Sequence, residues 1–264
     1  MSVAEHGDSA SSPVLCGILR GGRMHLKKII IHNSRFPAEG CYPFDLEIFH
    51  KTEELLFTNP LTFFIGENGT GKSTLLKAVA KKCAIHIWRD EEGYQRRVFY
   101  QNPYAEELYK FIEVEWLTGA VPGSYFDSEI FRYLAECIDA WAKPSPRLFE
   151  YFGGDSLLSR SHGQRHIQYF ESTYQRKGLY FLDEPENALS PKKQIELLRI
   201  LRETSGTGLA QFIIVTHSPI LLSYPEATIY NFDTPTITAT RYEETDYYKI
   251  YKDFINNRRK YLWD

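Results

Sequence analysis

Residues Gly66 to Ser73 read Gly-Glu-Asn-Gly-Thr-Gly-Lys-Ser, preceded by Leu61-Thr62-Phe63-Phe64-Ile65 and followed by Thr74-Leu75-Leu76-Lys77-Ala78-Val79-Ala80. The first flank is short, apolar and rich in aromatic and β-branched residues, which predicts a strand buried on both faces. The second places apolar residues on one face of a helix. A buried strand that turns through glycines directly into a helix commits the chain to α/β layering with a mostly parallel sheet. The spacing G-x-x-x-x-G-K-S also turns backbone N–H groups and a helix N-terminus toward one point, an arrangement suited to phosphate. In such a loop Gly66, Gly69 and Gly71 supply the backbone freedom, Lys72 reaches the β- and γ-phosphates, and the Ser73 hydroxyl faces Mg²⁺. The competing reading is a glycine-rich turn that precedes Lys-Ser by chance; the strand and helix flanks disfavour it.

The chain has 264 residues, enough for a substantial core, and 43% hydrophobic with 25% charged residues is ordinary for a globular protein. A net charge of -3 excludes a protein basic overall while leaving room for a local basic face. No apolar run has the length to cross a bilayer, so a membrane role requires a partner chain. Cys16, Cys41, Cys83 and Cys137 are scattered without a C-x-x-C pair. They read as reduced, mostly buried thiols of a cytoplasmic protein. Residues 1–23 lack the apolar core of a secretion signal and read as a flexible extension; Met24, just before the first strand-like run, reads as the start of the folded chain.

Along the chain, Leu26 to His32 is β-branched and strand-like, and Phe44 to Phe49 alternates as its hairpin partner. Val98 to Gly123 mixes strands and turns. Ser128 to Trp141 predicts a helix with Ile130, Leu134, Ile138 and Trp141 along one face, closed by Lys143-Pro144-Ser145-Pro146. A loop at Gly153-Gly154 and a helix over Gln164 to Gln175 follow. Leu179 to Leu182 and Gln211 to Thr216 read as buried strands around a helix over Lys192 to Thr204. In the tail, Tyr247, Ile250, Tyr251 and Phe254 form an apolar stripe, read as a helix docking on the core or, less simply, as a partner-binding helix.

Phe181-Leu182-Asp183-Glu184-Pro185 ends an apolar strand on two acids, which is costly unless a cation or a catalytic role compensates them. Asp183 suits a Mg²⁺-associated carboxylate, and Glu184 a general base that polarises water. Gln211 to Pro219 ends a second buried strand on Thr216-His217-Ser218, at the carboxyl edge where open α/β sheets bind ligands. His217 is thereby a candidate for contact with a γ-phosphate or the attacking water. His162 and His166 stand at i,i+4 spacing but lack the acidic companion and third ligand of a zinc helix.

Together these residues resemble the ATP-binding cassette (ABC) ATPases, from about Leu26 to about Tyr230. Gly66 to Ser73 is similar to the Walker A motif, Leu179 to Glu184 to Walker B with its catalytic glutamate, Asn187 to Ser190 to the D-loop, and His217 to the switch histidine. Leu158-Ser-Arg-Ser-His-Gly-Gln164 stands where the family keeps its signature, departing from Leu-Ser-Gly-Gly-Gln but keeping Ser161, Gly163 and Gln164. The resemblance implies a P-loop NTPase fold of ABC type: a mostly parallel sheet flanked by helices, an antiparallel β portion and a small helical lid at about 128–176, all in one domain over 24–264. It implies ATP and Mg²⁺ held by Gly66, Glu67, Asn68, Gly69, Thr70, Gly71, Lys72, Ser73 and Thr74, with Ser73 and Asp183 on the metal and Lys72, Glu184 and His217 in the chemistry. It also implies a head-to-tail homodimer in which Ser161 and Gly163 of one copy close the ATP site of the other. For the Q-loop two positions stay open: Gln101, or the stretch Ser124 to Glu129 with Asp127 or Glu129 standing in.

The wording Asp-Glu-Pro-Glu-Asn-Ala-Leu-Ser-Pro and Thr-His-Ser-Pro is more similar to soluble SMC-like, RecF-like and overcoming-lysogenization-defect-type ATPases than to transporter subunits, and the whole chain resembles small bacterial ABC-type ATPases. Arg35 and Phe36 are candidates for contact with adenine, a solvated turn being the alternative. The interval between Lys72 and Asp183 leaves room for a small lid and excludes long coiled-coil arms. The implied function is an ATP-driven switch acting on a protein partner, in a DNA-linked or defence-related setting where nucleic acid is a further candidate contact. The alternatives are the energising subunit of a membrane transporter and a nucleotide-sensing scaffold without turnover.

Overall fold

The computed structural model describes residues 24–37, 40–88, 102–152, 154–159 and 161–262. The 1–23 extension, Cys16, Gln101 with Val98 to Tyr100, Gly153 and Arg160 lie outside the described residues. In chain order the elements are β1 (Leu26–Ile31), α1 (Glu47–Lys51), β2 (Glu54–Leu56), β3 (Leu61–Ile65), α2 (Lys72–Lys82), β4 (Ile112–Trp116), β5 (Gly123–Asp127), α3 (Phe131–Ala142), α4 (His162–Thr173), β6 (Gly178–Asp183), α5 (Pro191–Gly206), β7 (Ala210–Val215), α6 (Pro219–Leu222), β8 (Thr228–Asn231), β9 (Thr238–Thr240), α7 (Asp246–Asn257) and α8 (Arg259–Leu262).

Among the described residues the strands form a six-stranded sheet, ordered β5-β6-β7-β3-β8-β9, and a three-stranded one, β2-β1-β4. Every pairing from β5 to β8 is parallel, and β9 runs antiparallel to β8. The strands read as uniformly apolar runs are those buried throughout: all of β3, β6 and β7. Their alternate residues feed two cores. Phe64, Phe181, Ile213 and Val215 face α2 and the small sheet, whereas Phe63, Tyr180, Leu182 and Phe212 face residues of α3, α4 and α5. Helices α3 and α4, the predicted lid, thus pack on this second core through Phe131, Leu134, Ile138, Ile167 and Phe170. At the junction of the two sheets stands Gln211, fully buried. Its Oε1 accepts from the His25 and Leu26 N–H groups at 2.7 and 2.8 Å, and its Nε2 donates to the Leu26 carbonyl at 2.9 Å.

Three expectations are corrected. Phe44 to Phe49 is not the hairpin partner of β1, because β2 and β4 already pair with its two edges. The segment turns, with the Phe44 and Asp45 N–H groups both donating to the Cys41 carbonyl, and enters α1. Phe44 then packs on Phe36 and Phe111, with ring centroids 4.7 and 5.2 Å apart. Phe36 is therefore engaged in a core aromatic cluster. The tail helix α7 forms, but Ile250, Tyr251 and Phe254 stay exposed, and only Tyr247 of the stripe reaches the body of the protein. Burial of such side chains contributes about 1.5–3 kcal/mol each; α7 forgoes it and is held by Tyr247 and by Thr245, which caps it by accepting from the Tyr248 N–H at 3.2 Å. Finally, Cys83 is buried, its thiol pushed up to about 12 by burial, but Cys41 is exposed and Cys137 half-buried.

The contact of β5 with β6 yields the first prediction. A Cβ at Gly123 would lie 1.9 Å from the Leu179 carbonyl oxygen and 2.6 Å from Ile85 Cδ1. Backbone cannot yield as a flexible side chain does. Gly123→Ala is expected to lower stability by roughly 1–3 kcal/mol, measured by denaturant titration; an unchanged midpoint would show that β5 and β6 do not approach this closely.

Candidate functional site

Because β3, β5, β6, β7 and β8 are parallel, their carboxyl ends meet along one edge. Ligands bind in open α/β sheets at that edge. Gly66 leaves β3 with φ +140°, and its missing Cβ matters: one built there would lie 2.9 Å from Asp233 Oδ1. Gly71, at φ +97° ahead of α2, would likewise press a Cβ to 2.8 Å from the Phe49 ring. Lys72 is buried, and its Nζ donates to the Gly66 and Glu67 carbonyls, each at 2.6 Å. Burial lowers its pKa from the usual lysine value, opposed by Glu184, Asp233 and Asp183.

Asp183 closes β6 as a buried carboxylate with both oxygens engaged. Ser73 Oγ donates to Oδ1 at 2.7 Å, and Tyr125 of β5 donates to Oδ2 at 2.7 Å. Burial pushes the Asp183 carboxyl above its ordinary range, while Lys77, 3.8 Å from Oδ2, and the two hydroxyl donors oppose that shift. Asp127 ends β5 in register with Asp183, and Lys77 Nζ stands 3.6 Å from its Oδ2. Of the open Q-loop positions, Gln101 lies outside the described residues, while Asp127 stands at this edge and its Oδ1 accepts from the Glu129 N–H at 2.9 Å.

Glu184 adopts a left-handed backbone, φ 46° and ψ 55°, unusual for a residue with a Cβ. That turn leads into the short helix Pro185–Ala188 and aims the carboxylate along the edge. Asn187 Nδ2 donates to Oε2 at 2.7 Å, and His217 Nε2 lies 3.3 Å from Oε1. His217 follows β7; its backbone N–H donates to Glu186 Oε1 at 2.6 Å, and its Nδ1 lies 2.7 Å from the Tyr247 hydroxyl. The structure therefore brings together Gly66, Lys72, Ser73, Asp183, Glu184 and His217.

The remaining predicted residues are placed as follows. Glu67 and Asn68 are exposed on the loop, Thr70 Oγ1 donates to the Glu67 carbonyl at 2.9 Å, and the Thr74 hydroxyl bonds that of Tyr42. Ser161 caps α4, with its N–H and hydroxyl both directed to Gln164 Oε1. A Cβ on Gly163 would lie 3.5 Å from the Ala188 carbonyl, so this segment adjoins the Asn187 to Ser190 turn. No contact found among the described residues joins Ser161 or Gly163 to the phosphate loop of the same chain. His166 lies between aromatic rings, with centroids 4.1 Å from Phe131 and 5.5 Å from Phe126. Sequence reasoning missed Tyr125, Asp233 and Tyr247 as site residues. For Tyr125 the available signal was its place two residues before Asp127 in a strand; Asp233 and Tyr247 depend on long-range folding.

Residues 155–223 match the family model described as "AAA domain, putative AbiEii toxin, Type IV TA system". That span runs from the signature-like segment through Asp183 and Glu184 to His217. The match and the motif order are consistent with an ABC-type ATPase. None of the curated proteins matches this chain. Solved structures similar to it include cbiO1 from Clostridium perfringens, part of the ABC transporter complex cbiONQ, at 13% identity and TM-score 0.49 over 90% of this chain and 98% of that one. Another is an RNase-L inhibitor, at 19% identity and TM-score 0.41, over 69% of this chain and 39% of that one.

Proposed function

We propose that the protein binds ATP with Mg²⁺ and hydrolyses it to ADP and phosphate, using the cycle as a conformational switch on a partner. The observation that carries this reading is the convergence of Ser73 on Asp183, 2.7 Å apart, beside a loop that buries the Lys72 ammonium. Ser73 Oγ and Asp183 Oδ1 are hard oxygen donors, the kind Mg²⁺ takes, so the residues fit that ion. Held by Ser73 and Asp183, Mg²⁺ would supply positive charge against the charge that develops on the phosphoryl oxygens.

The chain's own groups account for the remainder. Loop N–H groups and the start of α2 accommodate the phosphates, and Lys72 turns from the Gly66 and Glu67 carbonyls to the β- and γ-oxygens. Glu184 accepts a proton from water as that water attacks the γ-phosphorus in line, with ADP as leaving group. Ser161 and Gly163, remote from their own loop, complete the site of a second copy in a head-to-tail homodimer. The description of the matched family supports a defence-related partner.

The test is phosphate release by the purified chain with ATP and Mg²⁺. Turnover that disappears with EDTA is the expected result; no release over background at any protein concentration would remove the hydrolase reading and leave a nucleotide-sensing one.

A further inference from the structure

Tyr247 belongs to the first turn of α7, far along the chain from the phosphate loop, yet its hydroxyl touches two parts of the site. It lies 2.9 Å from the Gly66 carbonyl oxygen and 2.7 Å from His217 Nδ1. A phenol has one hydrogen to give. The Gly66 carbonyl has none, so the 2.9 Å contact requires that hydrogen. Both contacts are satisfied together only if Tyr247 donates to Gly66 and His217 donates from Nδ1–H to the Tyr247 oxygen. Burial, with Asp233 and Glu67 nearby, pushes the Tyr247 hydroxyl up to about 12, so the phenol keeps the hydrogen that this arrangement needs.

The consequence falls on the other ring nitrogen. In the neutral imidazole, Nδ1–H leaves Nε2 with a lone pair and no hydrogen. Nε2 is shielded from solvent and makes no hydrogen bond among the described residues, although Glu184 Oε1 is 3.3 Å away. Two acceptors standing side by side are unfavourable to each other unless a donor comes between them. A hydrogen brought to this pair by a water O–H relieves that repulsion.

We infer that Tyr247 is a positioning residue that fixes His217 as its Nδ1–H tautomer, so that His217 Nε2 stands beside Glu184 Oε1 as an acceptor for a hydrogen of the attacking water. His217 thereby serves as an acceptor toward water and not as a donor toward the γ-phosphate. The catalytic consequence rests on the ATPase reading above; the tautomer does not. Gly66 makes the link specific, because its carbonyl also accepts from Lys72 at 2.6 Å. When Lys72 moves to a phosphate, Tyr247 remains as the donor that holds this carbonyl and, through the same oxygen, the histidine.

The experiment is long-range ¹H–¹⁵N correlation spectroscopy of ¹⁵N-histidine-labelled, nucleotide-free protein, the His217 signal being assigned by its loss in His217→Gln. The wild type is expected to show the Nδ1–H pattern, and Tyr247→Phe a shift of at least half the population to Nε2–H. In turnover, Tyr247→Phe is expected to lower kcat by about tenfold, below the 10²–10⁴ of a complete general-base effect, with KM for ATP changed less than twofold. An Nε2–H pattern in the wild type overturns the inference even if the variant does not fold, and so does an unchanged tautomer in a folded Tyr247→Phe. A rise in KM at constant kcat also overturns it, by showing that Tyr247 acts on the loop alone. If the wild type releases no phosphate, the ATPase reading falls, while the nucleotide-free spectra still decide how Tyr247 sets His217.

Discussion

Glu184→Gln is expected to abolish steady-state phosphate release, by about 10²-fold or more, while leaving ATP binding within a few-fold of wild type. The substitution keeps shape and hydrogen-bond reach, so the fold has little to lose. Asn187 Nδ2, now 2.7 Å from Glu184 Oε2, still has an amide oxygen to meet. On the other side the new NH₂ faces His217 Nε2, where the carboxylate oxygen stood 3.3 Å away. What disappears is the capacity to accept a proton from water. The backbone strain of Glu184 at φ 46° is common to both side chains and cancels in the comparison.

The same variant reports on assembly. If ATP closes two copies head to tail, a protein that binds ATP but does not cut it accumulates as dimer, and sedimentation with ATP and Mg²⁺ is expected to show about twice the monomer mass. Turnover equal to wild type would remove Glu184 from the chemistry. A Glu184→Gln protein saturated with ATP yet monomeric at high concentration would retire the role proposed for Ser161 and Gly163.

The carboxyl-edge groups were legible in the sequence because each sits at the end of a strand whose uniform apolarity marks it as buried on both faces. β3, β6 and β7 are of this type, so the sequence pattern alone puts Gly66, Asp183 and His217 on one edge. Apolar alternation without both-face burial was less informative. Phe44 to Phe49 alternates as a strand would, yet its aromatic rings pack against Phe36 and Phe111 through a turn and a short helix, since β1 has no free edge. The stripe on α7 failed differently: helical periodicity identified the helix correctly but not what the stripe meets, and Ile250, Tyr251 and Phe254 face solvent. Tyr247 shares that stripe and was read with it as packing. Its polar end, placed against Gly66 and His217 by tertiary folding, has no local sequence signature. Tyr125 and Asp233 are hidden for the same reason: their partners, Asp183 and the Glu67 N–H, come from other strands and loops.

Lys72→Met is expected to separate ligand binding from folding more cleanly than any other change at this site. Burial holds the Lys72 pKa below the usual lysine value, so the ammonium is better accommodated in the unfolded chain than in the nucleotide-free fold. Methionine retains the packed stem without that charge. Nor does it strand the acceptors that Lys72 served: the Gly66 carbonyl still receives Tyr247 at 2.9 Å, and the Glu67 carbonyl still receives Thr70 Oγ1 at 2.9 Å. With no buried acceptor left unpaired, the net change in stability is expected to stay within about 1 kcal/mol, in either direction. A phosphate in the loop has no comparable substitute among the described residues, because the Lys77 ammonium stands between Asp127 and Asp183. Loss of the Lys72 contact is expected to weaken ATP binding by about 10²-fold, near 3 kcal/mol. Denaturant titration and equilibrium binding of a non-hydrolysable ATP analogue check the two halves. Unchanged affinity in a folded Lys72→Met protein would mean that triphosphate does not enter this loop, whereas a large loss of stability would recast Lys72 as a structural lysine whose two carbonyl bonds are its purpose.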